Sequence, residues 1–157
     1  MKTTKKTTEI KAVVPEKSIL KVQKLLDTVS IPTTHYEKDA GLDLSAAHKM
    51  VVAGQTTKVI GTGLAFQIPE GYFGKVFDRS GMAANSNLIV KAGVIDSDYT
   101  GEIRVIMSNT SPYPETILPG DRIAQLVVLP LPQMEIKEVS SLDDTKRGTK
   151  GLGSTGK

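Results

Sequence analysis

Cysteine is absent from the 157 residues, which excludes disulfides, thiolate metal sites and a cysteine nucleophile. That composition suits a reducing compartment. Tryptophan is also absent and aromatic residues make up only 4%, so the core must rest on Val, Ile and Leu. No apolar run approaches the length of about 18 residues that a membrane-spanning helix needs. The first residues are rich in Lys and Thr and contain no apolar stretch. They therefore do not form a secretory signal, and an intracellular protein of cytoplasm or nucleus is expected. Strong net charge is lacking too: 20 Lys and Arg stand against 17 Asp and Glu, a balance of +3. The excess sits at the ends, on Lys2, Lys5, Lys6 and Lys11 and on Lys146, Arg147, Lys150 and Lys157. A basic end suits either an anionic ligand or a solvated tail.

The chain is long enough for one compact domain. Residues 1–17 form a polar extension interrupted by Pro15, residues 18–140 the globular part, and residues 141–157 a tail. Short apolar runs separated by Gly, Pro, Asn and Asp predict an all-β protein. In LAFQI, Leu64, Phe66 and Ile68 alternate with Ala65 and Gln67. In GEIRVIM, Ile103, Val105 and Met107 alternate with Glu102, Arg104 and Ile106. SILKVQKLL, from Ser18, fits a strand or a short helix equally. IAQLVVLPL is apolar on both faces and should be buried throughout. Only SGMAANSNL has helical character, for one or two turns. Many short strands with regular turns imply a sandwich, jelly roll or barrel.

Five segments hold polar residues and glycines that strands do not require. In DRSG, Arg79 offers a fork of donors, Ser80 a hydroxyl and Gly81 an unobstructed amide; a helix starting at Ser80 would make this an anion cradle. The alternative is that Ser80 merely caps a helix. In AGVIDSDYTGE, Gly93 and Gly101 bracket Asp96, Asp98 and Tyr99. Asp96, after the apolar pair Val94–Ile95, suits a general base, whereas Asp98 suits an Asx-turn. Gln125 interrupts an apolar strand, and either binds a ligand oxygen or ties strands together. In DAGLDLSAA, Asp43 either orients a metal-bound water or pairs with an arginine, and Asp39 serves the turn. The tail RGTKGLGSTG, with four glycines, can wrap a polyphosphate through amides and hydroxyls, although it lacks P-loop spacing.

In their order and spacing these segments resemble the five motifs of the trimeric all-β dUTP pyrophosphatases (dUTPases), from about Ser18 to Gly156. The resemblance implies a jelly-roll-like β-barrel with one short helix, and a homotrimer with arm exchange and sites between subunits. It also implies hydrolysis of dUTP to dUMP and pyrophosphate with Mg²⁺, which limits uracil in DNA and supplies dUMP for thymidylate synthesis. Nucleic acid is not required. By the same resemblance Asp96 activates the attacking water and Tyr99 packs on the deoxyribose. A hairpin from Gly93 through Val94 and Ile95 to about Arg104 reads uracil with its backbone. Arg79, Ser80 and Gly81 match a phosphate cradle serving a neighbouring subunit, with Ser80 beside the reacting group. Gln125 matches the amide at the α-phosphate and Asp43 a structural acid, in the second shell of a Mg²⁺ held mainly by phosphates and waters. Arg147, Gly153, Ser154 and Thr155 would close over the triphosphate.

Two positions depart from the family pattern. Leu152 stands where the family usually stacks a Phe over uracil. Asp78 stands where Pro often precedes the arginine, and an acid there is expected to point away from the phosphates. On the same fold, dCTP deaminase places a catalytic glutamate where this chain has Ile106, which disfavours deamination. The intact Asp96, Tyr99, Gln125 and tail speak against a binding module without turnover. A structural β-sandwich would explain the strands and turns but not the five polar segments.

Overall fold

The fold comes from a computed structural model that describes residues 18–34, 36, 38–149 and 151. Along the chain run β1 (Lys21–Lys24), β2 (Leu42–Ser45), β3 (Met50–Val52), β4 (Thr57–Gln67) and β5 (Tyr72–Phe77). After them come α1 (Ser80–Asn85), β6 (Leu88–Lys91), β7 (Val94–Ile95), β8 (Glu102–Asn109), β9 (Glu115–Ile117) and β10 (Arg122–Pro130). One sheet has the order β1-β4-β8-β6, a second β2-β10-β5-β7, and β3 pairs with β9 as a ribbon. The strand pairs are antiparallel. The described strands thus form two separate sheets and a ribbon around one core rather than a closed barrel.

Alternation decides which residues enter that core. Leu64, Phe66, Ile103, Val105 and Met107 project from the first sheet, and Leu44, Val76 and Leu126 from the second. Val52 and Ile117 add the ribbon to the same cluster. The period-two reading holds for GEIRVIM, but in LAFQI it needs correction: Ala65 is buried with Leu64 and Phe66, and only Gln67 is exposed, because β4 lies between β1 and β8. The ambiguous SILKVQKLL contains a strand, β1, which pairs with β4 from Lys21↔Gln67 to Lys24↔Leu64.

The expectation for β10 needs correction. Ile123, Ala124 and Leu126 are fully buried, but Val127, Val128 and Leu129 are only partly so. The reason is pairing: β2 flanks β10 only as far as Leu126, and beyond it β5 alone remains alongside. Buried polar groups are bonded, as burial requires. Thr62 Oγ1 donates to Ile103 O at 2.7 Å. Asn109 Nδ2 donates to Val52 O at 3.0 Å and to Tyr113 O at 2.7 Å, which fastens the end of β8 to the ribbon.

Candidate active site

The first group of site residues lies where β2, β10 and the end of β5 meet. Register places Gln125 opposite Asp43 on one side and Phe77 on the other. The chain leaves β5 extended through Arg79 (φ −95°, ψ 137°) and enters α1 at Ser80. Arg79 is therefore the cap position, Ser80 is the first helical residue, and no side chain caps the helix. This excludes the reading of Ser80 as an N-cap. Ser80 and Gly81 are exposed, and nothing lies within 4 Å of where a Gly81 Cβ would stand. Asp39, Asp43, Arg79, Ser80, Arg122 and Gln125 border a cavity of about 430 Å³.

The side chains here are partly committed to one another. Arg79 Nε donates to Asp43 Oδ1 at 2.6 Å, and its Nη2 to Oδ2 at 3.1 Å. Arg122 Nη1 reaches the same Oδ2 at 3.2 Å. Of the two roles open to Asp43, the structure thus shows arginine pairing. The expectation of a free Arg79 fork is corrected: its bidentate face is occupied by Asp43, though each Nη keeps a second hydrogen. Gln125 Nε2 donates to Asp78 O at 2.8 Å, so Gln125 does tie neighbouring segments. Its Oε1 lies against Gly41, where a Cβ would overlap it. Asp39 serves its turn, accepting from the Tyr36 N–H at 2.8 Å. Asp78 points away as expected, its Oδ1 accepting the Val90 N–H at 2.6 Å.

The second group lies at the edge strand β7. Gly93 has φ +101°, a conformation favoured only by glycine, and a Cβ there would stand 2.9 Å from Val76 Cβ. This turn lays Val94 and Ile95 against Lys75 and Gly74 of β5. The expected hairpin is therefore not a paired one: β7 joins the second sheet, whereas β8 joins the first. Asp96 and the residues after it bridge the two sheets. The Tyr99 N–H donates to Asp96 O at 3.2 Å, closing a turn, and Tyr99 Oη donates to Glu102 O at 3.0 Å. Val94, Ile95, Asp96, Tyr99, Glu102 and Arg104 border a cavity of about 390 Å³, with Ile106 on its wall. Asp96 is exposed, and its carboxylate makes no hydrogen bond or ion pair among the described residues.

The two cavities share no bordering residue. Arg122 and Glu102, both within the polar segments, were not singled out from sequence. Glu102 Oε1 accepts the Gly63 N–H at 2.9 Å, across the register shift between Gly61 and Ala65 of β4. Arg147 is exposed, and Leu152, Gly153, Ser154 and Thr155 lie outside the described residues.

Comparison with known proteins settles the family. The dUTPase family model matches residues 27–156. The chain belongs to the dUTPase family. Among relatives of this dUTPase chain, the deoxyuridine 5'-triphosphate nucleotidohydrolase of Corynebacterium glutamicum is 45% identical, over 88% of this chain and 95% of the other. The rice enzyme of the same name, from Oryza sativa subsp. japonica, is 42% identical over 88% and 81%. A mutant dUTPase of Staphylococcus bacteriophage 80alpha with dUpNHpp superposes with a TM-score of 0.84 at 29% identity, covering 89% of this chain and 99% of that one. A mutant dUTPase of phage phi11 of S. aureus, described for its coordination of a structural Mg(II) ion, gives 0.75 at 29%, over 79% and 98%. The likeness thus extends in sequence to bacterial and plant proteins and in fold to the phage proteins.

Proposed function

We propose that this chain hydrolyses dUTP to dUMP and pyrophosphate in the presence of Mg²⁺, as a homotrimer. The observation that carries the reading is Asp96, an exposed carboxylate, unbonded among the described residues, at a cavity framed by Val94, Ile95 and Tyr99. In that reading Asp96 takes a proton from a water as its oxygen attacks the α-phosphorus. The new P–O bond forms as the bond to the departing pyrophosphate breaks. Placement of the water accounts for much of the rate, because phosphoryl chemistry depends chiefly on position and charge.

Tyr99 packs on the deoxyribose and excludes a 2′-hydroxyl. The backbone of Gly93, Val94 and Ile95 offers the donors and acceptors that uracil's edge requires, and a slot of that kind rejects cytosine by mismatch. Ser80, Gly81 and the spare donors of Arg79 receive phosphate oxygens, and Gln125 lies beside them. Residues 141–157 form the arm, with Arg147, Ser154 and Thr155 on the γ-phosphate and Leu152 over the base. Among the described residues no three His, Cys, Asp or Glu side chains cluster to hold a metal. In this reading Mg²⁺ would be held by the triphosphate and water and would neutralise phosphate charge there. Asp43, taken up by two guanidiniums, acts on the arginines rather than on the ion.

The two cavities share no bordering residue, which suits a trimer in which the cradle of one protomer meets the nucleoside pocket of another. No helix among the described residues is long and apolar enough to cross a membrane. The direct test is pyrophosphate release from dUTP, dTTP, dCTP and UTP with Mg²⁺, beside Asp96→Asn. Release from dUTP alone, lost in the variant, is the expected result. Release from none would leave binding without turnover as the better reading, and ammonia from dCTP would indicate deamination.

A further inference from the structure

Asp78 borders neither cavity, yet a bond leads from it toward each. Its carbonyl accepts from Gln125 Nε2 on β10. The next residue, Arg79, is fastened to Asp43 on β2. Its carboxylate turns the other way, to Val90 on β6. β6 is the edge strand of the first sheet, with Val90 opposite Met107 of β8. Edge strands leave N–H groups without strand partners. The Val90 N–H is one of these, and a carboxylate receives it in place of a further strand.

The location gives this bond a consequence. Just beyond Val90 the chain turns at Ala92 (φ 60°) and Gly93 (φ 101°) and runs directly into Val94, Ile95 and Asp96. The Val76 N–H donates to Gly93 O at 2.8 Å, a second bond from the same stretch of β5. The segment that carries the cradle and the segment that carries Asp96 are therefore registered against each other by Val76–Gly93 and by Asp78–Val90.

We propose that Asp78 is a positioning residue: by accepting the Val90 N–H, its carboxylate holds Arg79, Ser80 and Gln125 at a fixed place against the edge of the first sheet, and so sets how the cradle is presented to the neighbouring subunit's site. The inference rests on reading Arg79–Gly81 as a phosphate cradle. Hydrogen bonds to a carboxylate are among the stronger kind. Without this one, the 78–80 segment can pivot about the Arg79–Asp43 pair, and the cradle shifts while the nucleoside pocket stays in place.

The test uses the full chain, with Asp78→Ala, Asp78→Asn and Arg79→Ala. It reads kcat and KM for dUTP, inhibition by deoxyuridine and the thermal midpoint. Asp78→Ala is expected to raise KM for dUTP about tenfold and to leave inhibition by deoxyuridine, which has no phosphate, within about twofold. Asp78→Asn keeps an acceptor oxygen and is expected to return KM to within about threefold of wild type. An unchanged KM in Asp78→Ala overturns the proposal. So does an equal loss for dUTP and deoxyuridine, or an Asn variant as impaired as the Ala variant. If Asp78→Ala does not fold, hydrogen exchange of the Val90 amide in the wild type decides: protection supports the bond, and exchange as fast as in an open peptide overturns it. Failure of the underlying reading has a different signature, namely no dUTP turnover by the wild type or a normal KM in Arg79→Ala.

Discussion

The Asp96 carboxylate makes no bond among the described residues that a substitution would break, and this separates its chemistry from its structural effect. Asp96→Asn is expected to lower kcat for dUTP by about 10²–10⁴-fold, the usual contribution of a general base. The thermal midpoint should move by less than about 2 °C, since surface changes away from special features rarely exceed about 0.5 kcal/mol. A melt recorded beside a pyrophosphate assay checks both, and a variant keeping a wild-type kcat would remove Asp96 from the role. Leu152 offers a gain rather than a loss. Leu152→Phe adds an aromatic face worth about 1 kcal/mol over the base, so KM for dUTP should fall about fivefold. An unchanged KM would mean that residue 152 does not cover uracil. Asp96 and Tyr99 were legible because the GVIDSDYTGE motif carries them. Arg122 and Glu102 were not, because their partners, Asp43 and Gly63, are 79 and 39 positions away and only the fold brings them close.

At the scale of elements, short connections carry the site and long strands carry the core. Alternation in β8 was readable from Ile103 to Met107 because one face there is buried and the other is not, whereas β4 is buried on both faces from Thr62 to Phe66. The site depends instead on how β7 is delivered to β5, and that delivery turns on Gly93. Gly93→Ala forces a left-handed φ on an L-residue and brings Cβ against Val76. The expected cost is about 1–3 kcal/mol, or roughly 2–10 °C in midpoint for a chain of this size. Calorimetry measures the shift. Deoxyuridine binding should weaken along with it, because Val94 and Ile95 move with the turn; a destabilised variant with normal deoxyuridine affinity would place the pocket elsewhere. The hairpin reading failed here because composition marks where a chain turns but not which strand receives it. β7 lies beside β5 rather than β8, a choice made by long-range pairing.

For the whole molecule, the proposed trimer makes each site one that a single protomer does not complete. Light scattering is expected to give three times the chain mass; a monomer turning over dUTP at full rate would contradict sites formed between subunits. The arm gives a second test at this scale. Every described residue from 141 to 149, and residue 151, is exposed, so deleting residues 141–157 should leave the midpoint nearly unchanged. Loss of closure over the triphosphate should lower kcat/KM for dUTP by about 100-fold or more. Full activity in the truncated chain would reduce the tail to a solvated end.

By itself the sequence determined the all-β class, the inward face of β8, the short helix at Ser80 and the order of the five polar segments. These follow from local rules, namely period-two alternation and turn chemistry, that act over a few residues. It did not show what Asp78 holds, the Val90 N–H. Only the tertiary structure decided that Asp43 joins Arg79 to Arg122, that Gln125 leans on the Asp78 carbonyl, and that the cavities beside Arg79 and beside Asp96 share no bordering residue. Each of those is a contact between strands distant in sequence, and its energy depends on sheet register, which no single segment encodes.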